Sequence, residues 1–298
     1  VNMDTGLTLT APTAIETRGN SLVNINPNND KTVVINGDVS FATAAVGSGQ
    51  ILNAEVNINL SGAQSSWTGN IKLDYPTQGG AQTEITDGVT LTLSNQAQWT
   101  PTKVVETGDS GQTVETQALR LLKLNDGIVN ISRELGTLEV AELQGSGGVI
   151  NAEAAKDEAG NLESSTVKIG RATSQGEAEP ALTVNYTGIT ADDLTSVSED
   201  MQALADQTIQ VEEGAVAQTL NVEEGHPKGA VTSTYGADGT LQTSQARNAK
   251  LADFGAINAM ALVQWRNEIN HLTKRLGDIR ASESALGAWA RVYGGQSQ

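Results

Sequence analysis

The sequence contains no cysteine, only two histidines and few aromatic residues. Without cysteine the chain has no disulfide, cysteine metal site or cysteine nucleophile, and His226 and His271 leave little material for a histidine-based metal or catalytic cluster. Aromatic residues make up 3% of the chain. Because bulky aromatic side chains normally fill the centre of a compact globule, we expect a thin, elongated core of stacked aliphatic residues. No apolar run is long enough to predict a transmembrane helix.

Basic residues are also scarce. Lys and Arg number 18 against 35 Asp and Glu, which gives a net charge of -17. Such an acidic surface repels phosphate backbones, so we expect no nucleic acid partner, and it suits an extended extracellular surface. The sequence offers no phosphate-binding glycine loop and no convincing pair of catalytic carboxylates. We therefore expect neither an enzyme active site nor a cofactor or metal.

Short alternating patterns recur along the first part of the chain, and each ends at a Gly, Asn or Asp turn. In two of them the apolar residues fall on one face of a predicted strand, namely Val56, Ile58 and Leu60 in the first and Val89, Leu91 and Leu93 in the second. No helical pattern interrupts the strands until about residue 192, which argues against alternating strands and helices.

Two β architectures fit these patterns, a β-sandwich and a β-solenoid. The segments "SSWTGN" (65–70) and "AQWTPT" (97–102) look like the same position of successive coils. The low aromatic content also favours a solenoid, because its coils stack small and β-branched side chains. We predict the solenoid and keep the sandwich as the alternative.

The chain becomes less repetitive after about residue 145. A short helix is predicted over residues 192–207, with Asp192 or Asp193 as its cap. Its apolar residues keep helical spacing and are Leu194, Val197, Met201 and Leu204. Strand patterns then resume, and "GADG" (236–239) is typical of a hairpin turn. We therefore treat residues 145–245 as a distinct terminal module.

The last part of the sequence predicts a long helix followed by one strand. The helix has a single apolar stripe, formed by Trp265, Ile269, Leu272, Leu276 and Ile279. The following "GAWARVYGG" (287–295) alternates aromatic and polar residues with small apolar ones, as strands of outer-membrane barrels do. A single strand cannot form a barrel. We therefore expect the chain to be a piece of a longer protein that stops where a barrel domain begins.

Together these motifs resemble the bacterial type V autotransporters of the classical, monomeric kind. "EINHLTKRLGDIR" (268–280) resembles the linker signature of that family, and "GAWARVYGG" is similar to its first barrel strand. "LKLNDGIVNI" (122–131) and "LGTLEVAELQGSGG" (135–148) resemble the entry to the autochaperone region. The two tryptophan motifs are common in adhesin-type passengers.

The resemblance implies a right-handed parallel β-helix with a C-terminal autochaperone cap and a long terminal α-helix. It divides the chain into a passenger stem (1–144), an autochaperone and capping module (145–245), a linker helix (246–286) and the first barrel strand (287–298). The implied function is to nucleate passenger folding at the cell surface and to tether the passenger to its barrel, in an adhesin or self-associating surface protein. The alternative is the stem of a secreted autotransporter enzyme, a serine protease or a polysaccharide-active β-helix, whose catalytic part lies elsewhere.

The same resemblance implies partners, a location and roles for residues. The partners are the protein's own outer-membrane barrel and the barrel assembly machinery, with host glycans, host surface proteins or identical copies as further candidates. The location is the bacterial cell surface, anchored at the outer membrane. The linker residues carried over are Trp265, Ile269, Leu272, Lys274, Arg275, Leu276, Gly277, Asp278 and Arg280. The residues assigned to passenger folding are Trp67, Trp99, Leu138, Val140, Leu143, Gly145 and Gly147.

Some autotransporters cut their own linker between two adjacent asparagines. Asn270 stands at the first of these positions, but His271 replaces the second asparagine. We therefore expect the passenger to stay covalently attached, and a released passenger that ends at Asn270 would contradict this.

Two further motifs resemble functional sites but are predicted to be turns. "GDSG" (108–111) matches a serine-protease nucleophile loop, but both histidines follow Ser110, whereas the catalytic histidine of that family precedes its serine. "NPNND" (26–30) could offer oxygen ligands to a cation, but it lacks the twelve-residue pattern of an EF-hand.

Overall fold

The computed structural model describes residues 1–18, 20–42, 54–75, 88–103, 113–115, 119–174, 179–226, 228–236, 240–246 and 260–266. The chain divides into two compact units, Val1–Asn248 and Ala249–Gln298. In the second unit, residues 260–266 are helical. In the first unit the described residues form one long sheet of parallel and antiparallel pairs, which confirms the predicted mainly β class.

The strands are β1 (Asn2–Met3), β2 (Leu7–Arg18), β3 (Leu22–Ile25), β4 (Val33–Ala42), β5 (Glu55–Ser61), β6 (Ser66–Thr68), β7 (Ile71–Tyr75), β8 (Gly88–Ser94), β9 (Gln98–Thr100), β10 (Thr113–Glu115), β11 (Leu121–Ile131), β12 (Thr137–Lys156), β13 (Leu162–Ser164), β14 (Thr166–Thr173), β15 (Ala181–Thr190), β16 (Ile209–Glu213), β17 (Ala217–Glu223), β18 (Val231–Tyr235) and β19 (Leu241–Gln245). One α-helix, α1 (Val197–Thr208), and two short 3₁₀ turns, Arg133–Leu135 and Ala191–Asp193, complete the described elements of this unit.

Most strand pairs are parallel and join segments that are well separated along the chain. Asn24 of β3 pairs with Asn57 of β5, and these two residues are 33 positions apart in the sequence. Asn130 of β11 pairs with Asn151 of β12, where the separation is only 21 positions. Each stretch of chain therefore lays a strand beside the strand of the preceding stretch, with intervals that vary along the molecule.

One of the rows of side chains on the buried face of the sheet runs through eight strands, and we call it the core column. Its members face each other in register from strand to strand, and they are Leu9, Ile35, Trp67, Trp99, Val129, Ile150, Val184 and Leu220. All except Leu9 are buried. The predicted faces of β5 and β8 are confirmed, because their apolar residues are fully buried and their polar residues alternate with them. A fully buried aliphatic side chain contributes about 1.5–3 kcal/mol, so the column is a main source of stability.

The parallel pairing ends in an antiparallel hairpin. β17 pairs with β18 and β18 with β19, both antiparallel. The backbone N–H of Gly236 donates to the carbonyl of Thr240 at 2.9 Å, and Tyr235 pairs with Leu241. The pairing of β18 with β19 confirms the predicted hairpin, and residues 237–239 of its turn lie outside the described residues.

Helix α1 confirms the predicted short helix but not its predicted cap. The helix begins at Val197 with Ser196 as its N-cap, and the carboxylate of Asp200 accepts the backbone N–H groups of Thr195 and Ser196 at 2.6 and 3.0 Å. Asp193 ends the preceding 3₁₀ turn, where its carboxylate accepts the backbone N–H of Thr190 at 2.9 Å. The assignment of Asp192 or Asp193 as the helix cap was therefore wrong.

The expected boundary between residues 144 and 145 falls inside β12. The first half of this strand pairs with β14, from Thr137 to Gln144, and the second half pairs with β15, from Gly147 to Glu153. The two halves of the strand, on either side of residue 145, thus pair with different strands.

Candidate functional site

The two tryptophan motifs meet in the core. Trp67 in β6 and Trp99 in β9 are partners in the ladder, their rings stack with centroids 5.2 Å apart, and both side chains are fully buried. Each indole N–H donates to a glycine carbonyl of the neighbouring stretch, Trp67 to Gly37 at 2.9 Å and Trp99 to Gly69 at 3.1 Å. A buried indole N–H needs such a partner. The prediction that the two motifs occupy equivalent positions of successive stretches is confirmed.

Small polar side chains hold the corners on either side of β6. The hydroxyl of Ser65 donates to the carbonyl of Ser61 at 2.7 Å and accepts the backbone N–H of Val33 at 3.2 Å. The Nδ2 group of Asn70 donates to the carbonyl of Thr102 at 2.7 Å. The bonds to Val33 and Thr102 connect consecutive stretches of chain, so they fix the register that brings the tryptophans together.

Three of the predicted folding residues line the buried face of β12. Leu138, Val140 and Leu143 are all buried. Leu143 lies between Leu122 of β11 and Ala172 of β14 in the ladder. A charge introduced at Leu143 would be buried without a partner and would separate two layers of the stack.

The other two predicted folding residues of β12 form its corner. Gly145 and Gly147 have φ angles of 113° and 128°, which other residues rarely adopt. A side chain at Gly145 would overlap the carbonyl of Leu124, and one at Gly147 would overlap the carbonyl of Ala181. The hydroxyl and backbone N–H of Ser146 between them both lie near Oδ1 of Asn125, at 3.4 and 3.2 Å. The two glycines therefore let three layers of backbone approach closely at the corner.

A buried polar cluster joins α1 to the sheet and was not predicted. The Thr208 hydroxyl, at the last residue of α1, lies 2.7 Å from that of Ser164 and 3.0 Å from the phenol oxygen of Tyr186. All three residues are buried, and burial raises the pKa of Tyr186 above its ordinary value. The only signal in the sequence is the position of Thr208 one helical turn after Leu204 on the buried stripe of the helix.

The turn at residues 26–30 uses its polar groups within the fold. Asn26 is fully buried and has a positive φ of 51°. Its Nδ2 group donates to the carbonyls of Lys31 and Asn59, both at 3.1 Å, and its Oδ1 accepts the backbone N–H of Lys31 at 3.2 Å. Asn26 thus ties one turn to the next layer. Across the described residues no group of three or more His, Cys, Asp or Glu side chains is placed to hold a metal ion.

The predicted linker is represented by residues 260–266. This segment is helical, and its apolar side chains Met260, Leu262, Val263 and Trp265 are exposed, Trp265 by 61%. None of the helices among the described residues is both long and apolar enough to cross a membrane. Ser110, the barrel-strand motif and the remaining linker residues lie outside the described residues, and these linker residues are Ile269, Asn270, His271, Leu272, Lys274, Arg275, Leu276, Gly277, Asp278 and Arg280.

Comparison of the chain with protein-family models, with curated proteins and with solved structures gave no match.

Proposed function

We propose that the chain is the C-terminal passenger segment of a bacterial type V autotransporter, in an adhesin or self-associating surface protein. Its role is to nucleate folding of the passenger at the cell surface and to tether it to the outer-membrane barrel. The activity is mechanical and kinetic, and catalysis has no part in it. The observation that carries the proposal is the core column, which continues from strand to strand and then meets an antiparallel hairpin.

The pairing supports a right-handed parallel β-helix as the architecture. Antiparallel pairing dominates the sheets of β-sandwiches, whereas successive segments here pair in parallel with their side chains in register. A parallel crossover between strands is right-handed in nearly all proteins, because strands and crossovers share one handed twist. Stacked coils of this kind contact only their neighbours, so stability is the sum of local terms and folding can spread from one end.

A finished layer can act as the template for the next one. The first contact of a parallel pair is costly, because a loop must be closed before any hydrogen bond forms. Once one layer is ordered, the next stretch gains a full set of ladder bonds and one more buried residue in the column. The C-terminal layers would emerge first at the surface, so the residues around β12 and the hairpin are suited to start the process.

The hairpin is suited to end the stack. An open parallel edge presents unpaired N–H and C=O groups and invites aggregation. β18 covers β17 with antiparallel bonds, and β19 covers β18. β19 is short and mostly polar, which makes it a poor template for a further strand.

The helical segment 260–266 supports the tether. Four of its seven residues are large apolar side chains that are exposed. Such a surface is costly in water, and burial inside a protein pore would remove that cost.

The experiment compares two charge substitutions in β12 within the complete reading frame, expressed in a Gram-negative host. Leu143→Lys places a charge between β11 and β14, and Thr137→Lys places the same charge at an exposed position of the same strand. Display is measured by antibody labelling of intact cells, and folding by resistance of the displayed passenger to external protease. We expect Leu143→Lys to reduce both strongly and Thr137→Lys to leave both unchanged.

Two outcomes would contradict the proposal. Wild-type display and protease resistance of Leu143→Lys would show that these layers do not direct folding at the surface. Retention of the wild-type protein in the cytoplasm, with no labelling of intact cells, would show that the chain is not an exported passenger.

A further inference from the structure

A groove with a volume of about 820 Å³ runs across four neighbouring strands on the outer face of the sheet. Its base carries one asparagine from each of β11, β12, β15 and β17. We call these four residues the asparagine row, and they are Asn130, Asn151, Asn185 and Asn221. They are partners in the ladder, so they follow one another at the strand spacing of about 4.8 Å. Neither the folding nor the tethering role above requires this groove.

The row is internally ordered by side-chain hydrogen bonds. The Nδ2 groups of Asn151, Asn185 and Asn221 each donate to the Oδ1 atom of the preceding asparagine, at 2.8, 3.1 and 3.0 Å. At the ends of the row, Nδ2 of Asn130 donates to Gln98 and Thr100, both at 3.3 Å, and Oδ1 of Asn221 accepts the Thr232 hydroxyl at 3.1 Å. An amide has two N–H donors and an oxygen with two lone pairs. The bonds along the row therefore use about half of the capacity of Asn151 and Asn185, and these side chains are only partly buried. The row presents pre-ordered donors and acceptors that repeat from strand to strand.

The charges of the side chains that line the groove determine which ligands it can bind. Glu153 of β12 and Glu223 of β17 line it and are exposed. The backbone N–H of Arg133 donates to the Glu153 carboxylate at 3.0 Å, which fixes that group at the rim. No Lys or Arg side chain is among the described residues that line the groove. A polyanion would meet two carboxylates with no cation in the lining to offset them.

Beside Asn185 the strand bulges, and residues of the bulge line the groove. The pairing of β15 with β17 shifts between Tyr186 and Thr190, and Gly188 takes a φ of 83° in the shifted segment. Thr187 is exposed and lines the groove at this point. The bulge lies next to the row, while the pairs that form the row itself stay in register.

We propose that this groove binds an uncharged, linear polysaccharide whose chain runs along the asparagine row and across the strands. Sugar hydroxyls both donate and accept hydrogen bonds, as the free half of the Asn151 and Asn185 amides requires. The length of one pyranose unit in an extended β-1,4-linked chain is close to the strand spacing. Alternate units are turned over, but both edges of every ring carry hydroxyl groups, so each unit can offer a hydroxyl to one asparagine. An extended peptide repeats its same-face groups about every 6.6 Å and would run out of step with the row.

The length of the row makes a specific prediction about binding. Four asparagines offer about four unit-sized positions, so affinity should rise with each added sugar and then level off. Each polar contact is weak on its own, so a disaccharide should bind barely detectably and a tetrasaccharide much better. Units beyond the fourth or fifth should add little.

The test measures binding of purified chain to soluble, uncharged oligosaccharides of two to six units by isothermal titration calorimetry. The series contains β-1,4-linked N-acetylglucosamine, β-1,4-linked glucose and α-1,4-linked glucose, with heparin and polylysine as charged comparisons. Thr187→Arg places a long side chain in the groove and leaves the four asparagines in the sequence, and Thr137→Arg places the same side chain at an exposed strand position elsewhere. We expect at least one uncharged series to bind with the stated length dependence. Thr187→Arg should weaken that binding at least tenfold, and Thr137→Arg should not change it.

Asn185→Ala serves as a second variant, because it removes one member of the row. It should weaken binding of the tetrasaccharide more than that of the disaccharide, with circular dichroism confirming that the fold persists. Three results would overturn the proposal: no saturable binding by any uncharged series, equal binding by Thr187→Arg and wild type, or preferential binding of heparin or polylysine. Because the assay uses purified protein, its outcome is separate from that of the display experiment.

Discussion

The layers before residue 131 and those after residue 137 build the same core column in different ways. In the first region the interval between partners in the column is 26 positions from Leu9 to Ile35, and 32 positions both from Ile35 to Trp67 and from Trp67 to Trp99. At the junction the interval falls to 21 positions, between Asn130 and Asn151. In the second region it rises to 36 positions, between Asn185 and Asn221. The column therefore does not depend on an even repeat in the sequence. It requires only that each strand on this face place one side chain in the interior.

The two regions also fill the interior differently. The first stacks Trp67 on Trp99 and satisfies each indole through a glycine carbonyl. The second uses smaller aliphatic residues in the column and packs α1 against neighbouring strands through Met201 and Leu204. Helix α1 and the antiparallel hairpin both belong to the second region.

The largest expected effect comes from breaking the tryptophan stack. Trp67→Ala and Trp99→Ala should each lower the free energy of unfolding by about 3–5 kcal/mol, because each leaves a cavity in a fully buried site. The double variant should cost less than the sum by about 0.5–1.5 kcal/mol, the coupling typical of an aromatic pair. Denaturant titration of the four proteins gives this coupling.

A substitution in the second region tests whether the two regions contribute to stability independently. Val184→Ala lies in the same column but has no aromatic partner and is several layers from Trp99. Its effect should add to that of Trp99→Ala within about 0.5 kcal/mol. Strong coupling between these distant sites would show that the two regions do not act as separate layers.

The glycine corner of β12 gives the next largest effect. Gly147→Ala should lower the free energy of unfolding by more than about 2 kcal/mol, because it adds overlap with Ala181 to an unfavourable φ. Gly160→Ala is the control, since Gly160 also has a positive φ of 89° but faces open space. It should cost about 1–2 kcal/mol, the backbone term alone. Equal losses for the two variants would contradict a close approach of backbones at the corner.

A smaller effect should follow from loosening α1. Tyr186→Phe removes a buried hydroxyl that lies 3.0 Å from that of Thr208, and loss of one such bond costs about 0.5–1.5 kcal/mol. Hydrogen exchange should quicken in α1 before it does in β6 and β9. Tyr235→Phe is the control, because its phenol donates to Asp206 at 3.1 Å in an exposed bond. If Tyr186→Phe left α1 as protected as the control does, the buried cluster would not hold the helix.

The sequence was most informative where neighbouring residues determine the structure. Alternation in β5 and β8, the repeated tryptophan motifs and the hairpin after Tyr235 depend on short patterns, and all were predicted. The predicted cap of α1 was wrong because the carboxylate of Asp193 accepts the backbone N–H of Thr190 in the preceding 3₁₀ turn. Two adjacent turns thus compete for the same carboxylate. The helix and turn propensities of single residues do not decide which of the two turns the carboxylate stabilises.

The groove could not be found from the sequence. The intervals between the four asparagines of the row are 21, 34 and 36 positions. Their alignment depends on which strands pair and on the length of each intervening loop, and these are long-range properties. The buried cluster around Thr208 escaped for the same reason, since Ser164 lies 44 positions away from it in the chain.

The smallest expected effect is on the stability of the protein in acid, and it involves the carboxylate of Glu142 in β12. Hydrogen bonds from Nε2 of Gln144 and the hydroxyl of Thr173, at 2.8 and 2.7 Å, lower the pKa of Glu142. Because the pKa is lower in the folded protein, its contribution to stability is complete above the unfolded value of about 4.3. It is lost as the pH falls through the lower folded pKa.

Glu142→Gln should therefore flatten the fall in the free energy of unfolding below about pH 4.5, measured by denaturant titration at each pH. The change should stay below about 1 kcal/mol, because Glu142 is partly exposed and solvent screens its interactions. Glu139→Gln, on the same strand and exposed, should leave the acid slope nearer to that of the wild type. Identical slopes for the two variants would mean that Glu142 does not connect β12 to β14 through Thr173. Acid would then weaken the second region only through carboxylates such as Asp193, whose pKa is lowered mainly by the backbone N–H of Thr190.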